Sequence, residues 1–523
     1  MDTRRAATLA HAWIAAVVGW AIAAALVFAY AATLRRYAIN FPWADDFTQL
    51  LNVPFNVAHA PTLEEKLAQI FGLAVEHRIA TLRLAALAQA QFLGGLDFRG
   101  LMYVGSALLA IPAVLLVSMV RREAQPLFAA IAAALLLSPA NFEASLWATG
   151  ALQHFGAVGY AFAALYCLRR VGWARQVGAA VFALAALSTS AGGLMLLPAA
   201  VLLLGLMRRW GAALGWTIGG ATVFAVYFIG YEAPAYQASL TTYLSDPIVP
   251  LRFFLLALGT LGFVPSIAVA LGVALVAFWT GLSLTRRVET LPPVIVAWAA
   301  FLVLTFAAIT WGRAGFGDQG ALLSRYRVYG ELLVLTSLAA SFFQLPPGRA
   351  MRLLWIALPL SIAWFFAAWR HDATQVERFF ISHRTQLDYY VAEGHSTPGD
   401  PMPAAFRDFV LLGARQVGAY DPARFANKPR SLIADARALD ASRPPAVRVE
   451  SPIAGKRALL VSALGVGHEH DSVIWLESGQ RQYRGALGAL PAAPLPLGET
   501  AGFLWVCILS PMSRPADTGS ASE

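Results

Sequence analysis

Two adjacent carboxylates stand just after the first long apolar segment, in the motif Trp43-Ala44-Asp45-Asp46-Phe47. Carboxylates at a membrane boundary are costly to desolvate, so they usually carry out a task or face water. Neighbouring residues of a helix or turn point in different directions. One carboxylate can therefore face a cavity as a general base while the other caps a helix or binds an arginine. A helix N-cap with solvated acids is the alternative interpretation.

A second polar cluster, Glu76-His77-Arg78-Ile79, is followed by Arg83. Glu76 and Arg83 are seven residues apart, which predicts that they share one face of a single helix. An acid, an imidazole and a guanidinium brought together in this way can orient a phosphate. A salt-bridged surface helix is the alternative interpretation.

The third cluster contains Glu143, Trp147 and His154, where one predicted span ends and the next begins. Glu143 and Trp147 are four residues apart and would share a helix face. All three are candidate substrate-binding residues. For Trp147 and His154 the alternative is an interfacial aromatic belt.

The fourth cluster contains Arg313, Asp318, Arg325, Tyr326 and Arg327, between two late apolar segments. A guanidinium presents a planar fork of donors that matches phosphate oxygens, and it keeps its charge. The cluster is therefore typical of a phosphate site. Snorkelling or pairing with acids is the alternative, and Arg327 fits that interpretation.

Long apolar segments must position these clusters. Hydrophobic residues make up 58% of the 523 residues and charged residues only 13%, whereas soluble domains are about a quarter charged. The composition predicts an all-α polytopic membrane protein with about eleven transmembrane helices. Segment 249–263 is apolar but short, so we expect it to be re-entrant or interfacial. The predicted spans are 12–34, 99–120, 125–140, 152–168, 176–190, 192–207, 211–231, 265–285, 291–311, 327–345 and 352–369.

Groups of arginines between these segments predict the orientation. Cytoplasmic loops carry an excess of Lys and Arg, and a cytoplasmic N-terminus places every such group in the cytoplasm except Arg35/Arg36. The four polar clusters then all fall on the outer side of the membrane. The cytoplasmic groups are Arg121/Arg122, Arg169/Arg170/Arg175, Arg208/Arg209, Arg286/Arg287 and Arg349/Arg352.

The first outer loop, residues 35–98, carries a helix-start signal. Thr62 and Glu65 match a capping box, and an amphipathic helical pattern runs from there to Gly94-Gly95. We expect this part of the loop to lie along the membrane surface as a juxtamembrane helix.

Four regions are predicted along the chain. Residues 1–370 form the transmembrane domain, 371–440 a helical connector, 441–515 a small β-rich or α+β soluble domain, and 516–523 a disordered tail. In the connector, 374–393 and 402–418 have helical patterns. The β-rich prediction depends on short strand-like runs punctuated by Gly and Pro: Val447–Val449, Ala458–Val461, Ser472–Leu476 and Phe503–Ile508.

Several function classes lack their signals. The net charge of +9 comes from short basic pairs rather than a basic stripe interleaved with aromatics, so no nucleic-acid partner is expected. The sequence has no zinc-ligand spacing, Walker loop, dinucleotide Gly fingerprint or Gly-x-Ser-x-Gly elbow.

The order of the four clusters resembles a known family. Trp43–Asp46, Glu76–Ile79, Phe142–Trp147 and Ser324–Tyr326 look like the GT-C superfamily of membrane glycosyltransferases, which use polyprenyl- or dolichyl-phosphate sugars. More narrowly, they resemble an uncharacterised bacterial group related to that superfamily. The resemblance covers roughly residues 10–370. The group commonly has Glu-Asn where this chain has Glu143-Ala144, which weakens the third motif.

The resemblance implies an inverting sugar transfer from a polyprenyl-phosphate-linked donor to a glycan, lipid or protein acceptor, on the periplasmic side of a bacterial inner membrane. Asp45 or Asp46 would be the general base, with Asp45 favoured. Arg325 would stabilise the lipid-phosphate leaving group, and no cofactor or essential metal is expected. Arg78, His77 and Arg313 would assist Arg325, and Glu76, Glu143, Trp43, Trp147, His154 and Tyr326 would bind substrate.

Three other functions are open. A transporter or flippase for a lipid-linked glycan would place charges near the bilayer midplane. An O-antigen polymerase or ligase would carry its key arginines in a large late loop. A non-catalytic scaffold would display the β-rich tail.

Overall fold

The computed structural model describes residues 3–234, 237–394, 396 and 402–425, and four short strands beyond residue 446. The strand-like run Phe503–Ile508 and the predicted tail 516–523 lie outside the described residues.

The protein is an α-helical membrane protein. Within the described residues, six helices are long and apolar enough to cross a membrane, or seven if a bent pair, Arg122–Leu136 with Pro139–Leu146, is one span. Every one of the eleven predicted segments contains a helix. Only the six helices and the bent pair, however, are long and apolar enough to be candidate membrane spans. The six helices are Trp13–Tyr37, Phe98–Met119, Ala148–Leu168, Pro265–Leu284, Pro293–Ala321 and Pro347–Arg384.

A turn inside one apolar run explains part of the smaller number. The predicted turn near residue 190 is present, because one helix ends at Leu187 and a 3₁₀ segment, Ala191–Met195, precedes the next. The resulting helices, Trp173–Leu187 and Leu196–Leu206, are shorter than the roughly 20 residues that a span needs.

The helices are numbered here in chain order. They are α1 Thr3–Tyr37, α2 Asn52–His59, α3 Leu63–Phe71, α4 Ala80–Phe92, α5 Phe98–Met119, α6 Gln125–Leu136, α7 Phe142–Leu146, α8 Ala148–Gly150, α9 Gly156–Leu168, α10 Trp173–Leu187, α11 Leu196–Leu206, α12 Trp210–Tyr227, α13 Leu240–Ser245, α14 Ile248–Leu258, α15 Pro265–Leu284, α16 Pro293–Arg313, α17 Gly317–Ala321, α18 Arg327–Gln344, α19 Pro347–Glu393 and α20 Ala404–Gln416.

The first loop differs from its prediction in one respect. The N-cap half of the capping box is confirmed, because the Thr62 hydroxyl accepts a hydrogen bond from the Glu65 N–H at 3.2 Å. The expected continuous helix is interrupted by a two-stranded hairpin, β1 (Leu73–Ala74) and β2 (His77–Arg78). Glu76 therefore stands in a hairpin turn, and the prediction that it shares a helix face with Arg83 is wrong.

Two apolar cores hold the described helices together. The larger core lies among α1, α5, α6, α9, α11, α16 and α18. The second core packs the end of α1 and residues 38–51 against α4, the far half of α19 and α20. The elements of the first loop are thereby fixed against the end of the bundle.

The helix α19 is continuous over 47 residues and passes through the predicted boundary at residue 370. The segment predicted as helical at 374–393 is its second half, and α20 matches the helix predicted at 402–418. Beyond residue 446, an antiparallel sheet of order β3-β4-β5-β6 is described. Its strands are Val447–Glu450, Arg457–Leu460, Val473–Ser478 and Arg481–Ala486, the last of which the sequence pattern did not predict.

Candidate active site

One cavity gathers residues from all four sequence clusters. Its volume is about 480 Å³, and its lining comes from chain regions 43–49, 74–79, 147–154, 190–192 and 305–329. Of the twelve predicted site residues, nine line it: Trp43, Asp45, Glu76, His77, Trp147, His154, Arg313, Arg325 and Tyr326.

Two strained turns carry the cavity carboxylates. Ala44, directly before Asp45, has a φ of 45°, and Val75, directly before Glu76, has a φ of 55°. Side-chain-bearing residues rarely adopt such angles, and a β-branched residue least of all. Strain of this kind persists only where the surrounding structure enforces it, and it clusters at functional sites.

Asp45 borders the cavity and is exposed to that open space, although protein groups surround it at longer range. Burial raises the pKa of its carboxyl group, and Glu76 adds to this effect, while the nearby Arg325 and Arg313 guanidiniums oppose it. The result is a carboxylate that takes up a proton more readily than a solvated one does. That property suits a general base.

Asp46 points the other way and is fully buried. One carboxylate oxygen accepts hydrogen bonds from the Thr149 N–H at 2.8 Å and the Thr149 hydroxyl at 2.6 Å. The other accepts from the Trp43 N–H at 3.1 Å. Burial raises the pKa of Asp46 to about 7 despite these bonds. Asp46 thus ties the turn that carries Asp45 to the start of α8.

Glu76 forms an ion pair with Arg313 across the cavity. His77 lies beside Glu76, with its Nε2 at 3.6 Å from the carboxylate. The backbone N–H of Ala191 donates to His77 Nδ1 at 3.2 Å, so the neutral ring carries its proton on Nε2. Burial lowers the pKa of His77, which favours that neutral ring.

Arg325 is held in place by Glu143. The Arg325 backbone N–H donates to the Glu143 carboxylate at 3.2 Å, and the guanidinium lies 3.9 Å from the same group. The Glu143 N–H in turn donates to the Ser324 hydroxyl at 3.2 Å. Glu143 does not line the cavity, and its carboxylate contacts Arg325.

Arg78 is the clearest departure from the predicted site. Its guanidinium donates to the backbone oxygens of Phe71 at 2.8 Å, Tyr227 at 2.9 Å and Ile229 at 2.8 Å, and it does not line the cavity. Carbonyls at a helix C-terminus lack intrahelical partners and attract cations. Arg78 therefore caps α12 and anchors the hairpin that carries Glu76, outside the cavity lining.

Aromatic rings form one wall of the cavity. The Trp43 ring meets the Trp147 ring edge-on at 5.2 Å between centroids, and on another side it meets Phe379 at 4.7 Å. Phe379 belongs to the second half of α19, so that helix supports the wall from behind. The Tyr326 ring lies 5.4 Å from the Arg325 guanidinium carbon.

Six further polar residues of the lining were not among the predicted site residues: Gln49, Thr149, Gln153, Ser190, Thr305 and Tyr329. Gln49 and Gln153 lie on π-helical turns, Phe47–Leu51 and Ala151–Phe155. A π-helical turn inserts one residue into a helix and shifts the faces of its neighbours, so a helical period drawn from sequence misplaces them.

No group of three His, Cys, Asp or Glu side chains is arranged to hold a metal in the part of the chain that the structure describes. The expectation of metal-independent chemistry stays a prediction. The chain matches no family model, no curated protein and no solved structure. Function is therefore argued from the geometry of the cavity.

Proposed function

We propose that the protein is a membrane glycosyltransferase of the GT-C type, transferring a sugar from a polyprenyl-phosphate-linked donor to an acceptor hydroxyl on the outer face of a bacterial inner membrane. The observation that carries the proposal is one cavity in which a single open carboxylate, Asp45, lies within electrostatic range of Arg325 and Arg313.

The reaction requires a base and a cation on opposite sides of the anomeric carbon of the donor sugar. Asp45 takes the proton of the acceptor hydroxyl as its oxygen attacks the anomeric carbon of the donor sugar. The bond from that carbon to the phosphate oxygen breaks, and its electron pair stays on the phosphate. Arg325 stabilises the resulting lipid phosphate, and the proton then passes from Asp45 to solvent.

The partners of the two arginines support different tasks for them. Arg325 is positioned by Glu143 from behind the cavity wall, so its guanidinium remains available to a ligand. Arg313 is paired with Glu76 inside the cavity. We therefore assign the main phosphate contact to Arg325 and a supporting one to Arg313.

The proposal is tested with purified protein in nanodiscs and polyprenyl-phosphate donors that carry radiolabelled sugars. Wild type should release sugar-free polyprenyl phosphate and label an acceptor. Asp45→Asn should lower turnover by about 10²–10⁴-fold, the usual contribution of a general base. Asp46→Asn is the comparison variant: it should lose less turnover than Asp45→Asn, and its loss should come with a lower Tm, because Asp46 holds the turn that carries Asp45 and does not face the cavity.

Two outcomes contradict the proposal. Equal turnover by wild type and Asp45→Asn would show that Asp45 is not the general base. Movement of intact donor between the leaflets of proteoliposomes, without sugar release, would favour a flippase. In the wild-type pH profile, the rate should fall as the pH is lowered, because Asp45 becomes protonated. The midpoint of this fall should lie above the ordinary carboxyl pKa of about 4, because burial raises the pKa of Asp45.

A further inference from the structure

Both π-helical turns of the described chain face the same cavity. Phe47–Leu51 contributes Gln49 to the lining, and Ala151–Phe155 contributes Gln153 and His154. π-helical turns are rare, and they occur frequently at functional sites. Because two such turns lie on separate segments of one cavity, we interpret them as part of the binding site.

Gln153 is the most informative of these residues. Its side chain is only 7% exposed, and it borders the cavity. Within the described residues its amide makes no hydrogen bond to another protein group, and its polar atoms are not among those shut off from solvent. They face the cavity, where a ligand can meet them. The amide is therefore suited to a ligand that supplies both a donor and an acceptor.

The neighbouring groups offer the same chemistry. His154 uses Nδ1 to contact the Tyr329 hydroxyl at 3.2 Å, which leaves Nε2 for a ligand. The side-chain oxygen of Gln49 accepts a long hydrogen bond of 3.5 Å from Arg83. The NH₂ group of Gln49 can then donate to a ligand. Amide and imidazole groups that both donate and accept match the hydroxyls of a sugar.

The charged groups of the cavity already have tasks. Glu76 pairs with Arg313, and Arg325 is assigned to the phosphate of the donor. Asp45 is assigned to the acceptor proton. A charged substituent on the bound sugar would thus meet amides and an imidazole instead of an opposite charge, at a cost in desolvation.

We propose that Gln153, with Gln49 and His154, binds the hydroxyls of the transferred sugar, and that this sugar is uncharged. The inference rests on the proposed function and names the substrate class of the same site. It assigns the sugar to the part of the cavity that these three residues line and leaves the phosphate to Arg325.

The test measures two affinities in nanodiscs: that for polyprenyl phosphate carrying a neutral hexose, and that for sugar-free polyprenyl phosphate. In Gln153→Leu the affinity for the sugar-bearing lipid should fall roughly tenfold, the loss expected for one or two hydrogen bonds. The affinity for the sugar-free lipid should stay unchanged. Wild type should also prefer the neutral hexose to an amino sugar or a uronic acid on the same lipid.

Gln89→Leu is the matched control. Gln89 is 9% exposed, and its carbonyl oxygen accepts from the Asp97 N–H at 3.0 Å, away from the cavity lining. This variant should lower the Tm without changing the ratio of the two affinities.

An unchanged ratio in Gln153→Leu overturns the sugar subsite, and a wild-type preference for a charged sugar overturns the assignment of an uncharged sugar. If wild type binds sugar-free polyprenyl phosphate and the sugar-bearing lipid with equal affinity, this inference alone is overturned. Wild type that binds neither lipid overturns the proposed function as well.

Discussion

Arg325 and Arg327 stand two residues apart at the start of α18, yet they belong to different regions of the molecule. Arg325 borders the cavity, with Glu143 at 3.9 Å. Arg327 is 5% exposed and donates to the Asp372 carboxylate of α19 at 2.6 Å. The alternative interpretation of the sequence, acid pairing, thus fits Arg327.

The same contrast separates Asp45 from Asp46. In the cavity, charges face a space that a ligand can fill. In the interior, charges face fixed partners, as Asp46 does with Thr149 and Glu331 does with the Asn141 amide at 2.6 Å. A charge with a fixed partner stabilises one arrangement of helices, whereas a charge beside an open space is available for chemistry. Mutations should therefore affect stability in the interior and turnover in the cavity.

The largest expected effect is on the interior. Arg327→Ala leaves the Asp372 carboxylate buried without its guanidinium, and should lower the free energy of unfolding by about 3–5 kcal/mol. Denaturant unfolding in detergent micelles measures the loss. The double variant Arg327→Met/Asp372→Leu should recover much of it, because no charge is then left alone. A single variant as stable as wild type would remove the distinction between the two regions.

The next effect is on the cavity. Under the proposed function, Arg325→Ala should lower sugar transfer by about 10²–10³-fold, since it removes the donor that we assign to the leaving phosphate. Its unfolding curve should match that of wild type. Arg252→Ala is a suitable control, because Arg252 forms an exposed ion pair with Asp318 that lies outside the lining. Loss of stability in Arg325→Ala without loss of turnover would reverse the assignment.

Thr149→Val tests the interior role of Asp46 through pH. The pKa of Asp46 is about 7 in the folded protein and about 4 in an unfolded chain. Its protonation therefore stabilises the fold fully below about pH 4, and this contribution is lost as the pH rises through 7.

The hydroxyl of Thr149 donates to the ionised form of Asp46, so its removal should cost about 1–3 kcal/mol above pH 7 and less near pH 5. Unfolding free energies of wild type and variant at the two pH values give this difference directly. A cost that is equal at both values would show that Asp46 does not titrate in this range.

Arg78→Lys should have the smallest effect. A lysine keeps the charge but has no planar fork to reach several carbonyls at once. Looser anchoring of the hairpin should lower turnover by roughly tenfold or less with donor affinity nearly unchanged, since Arg78 does not face the phosphate. A rise in the donor Kd matching that of Arg325→Ala would restore Arg78 to the phosphate site.

Local patterns predicted the elements well where neighbours along the chain decide the outcome. The N-cap half of the capping box at Thr62 and the turn near residue 190 are both present, because each depends on hydrogen bonds within a few residues. The helical period failed at Glu76, where a hairpin with a positive φ at Val75 replaces a helical turn. Such a turn is held by distant partners of Arg78 on α12, which no local pattern contains.

Composition and the spacing of apolar segments establish that this is a helical membrane protein whose polar residues occur in four clusters between those segments. The same patterns point to nine residues that line one cavity, because charges are costly in lipid and collect where water or a ligand meets them. Which charge of each pair faces that cavity depends on the packing of the helices. Asp45 and Asp46, or Arg325 and Arg327, have the same chemistry in sequence, and the positions of α8 and α19 determine which of them is buried against a partner.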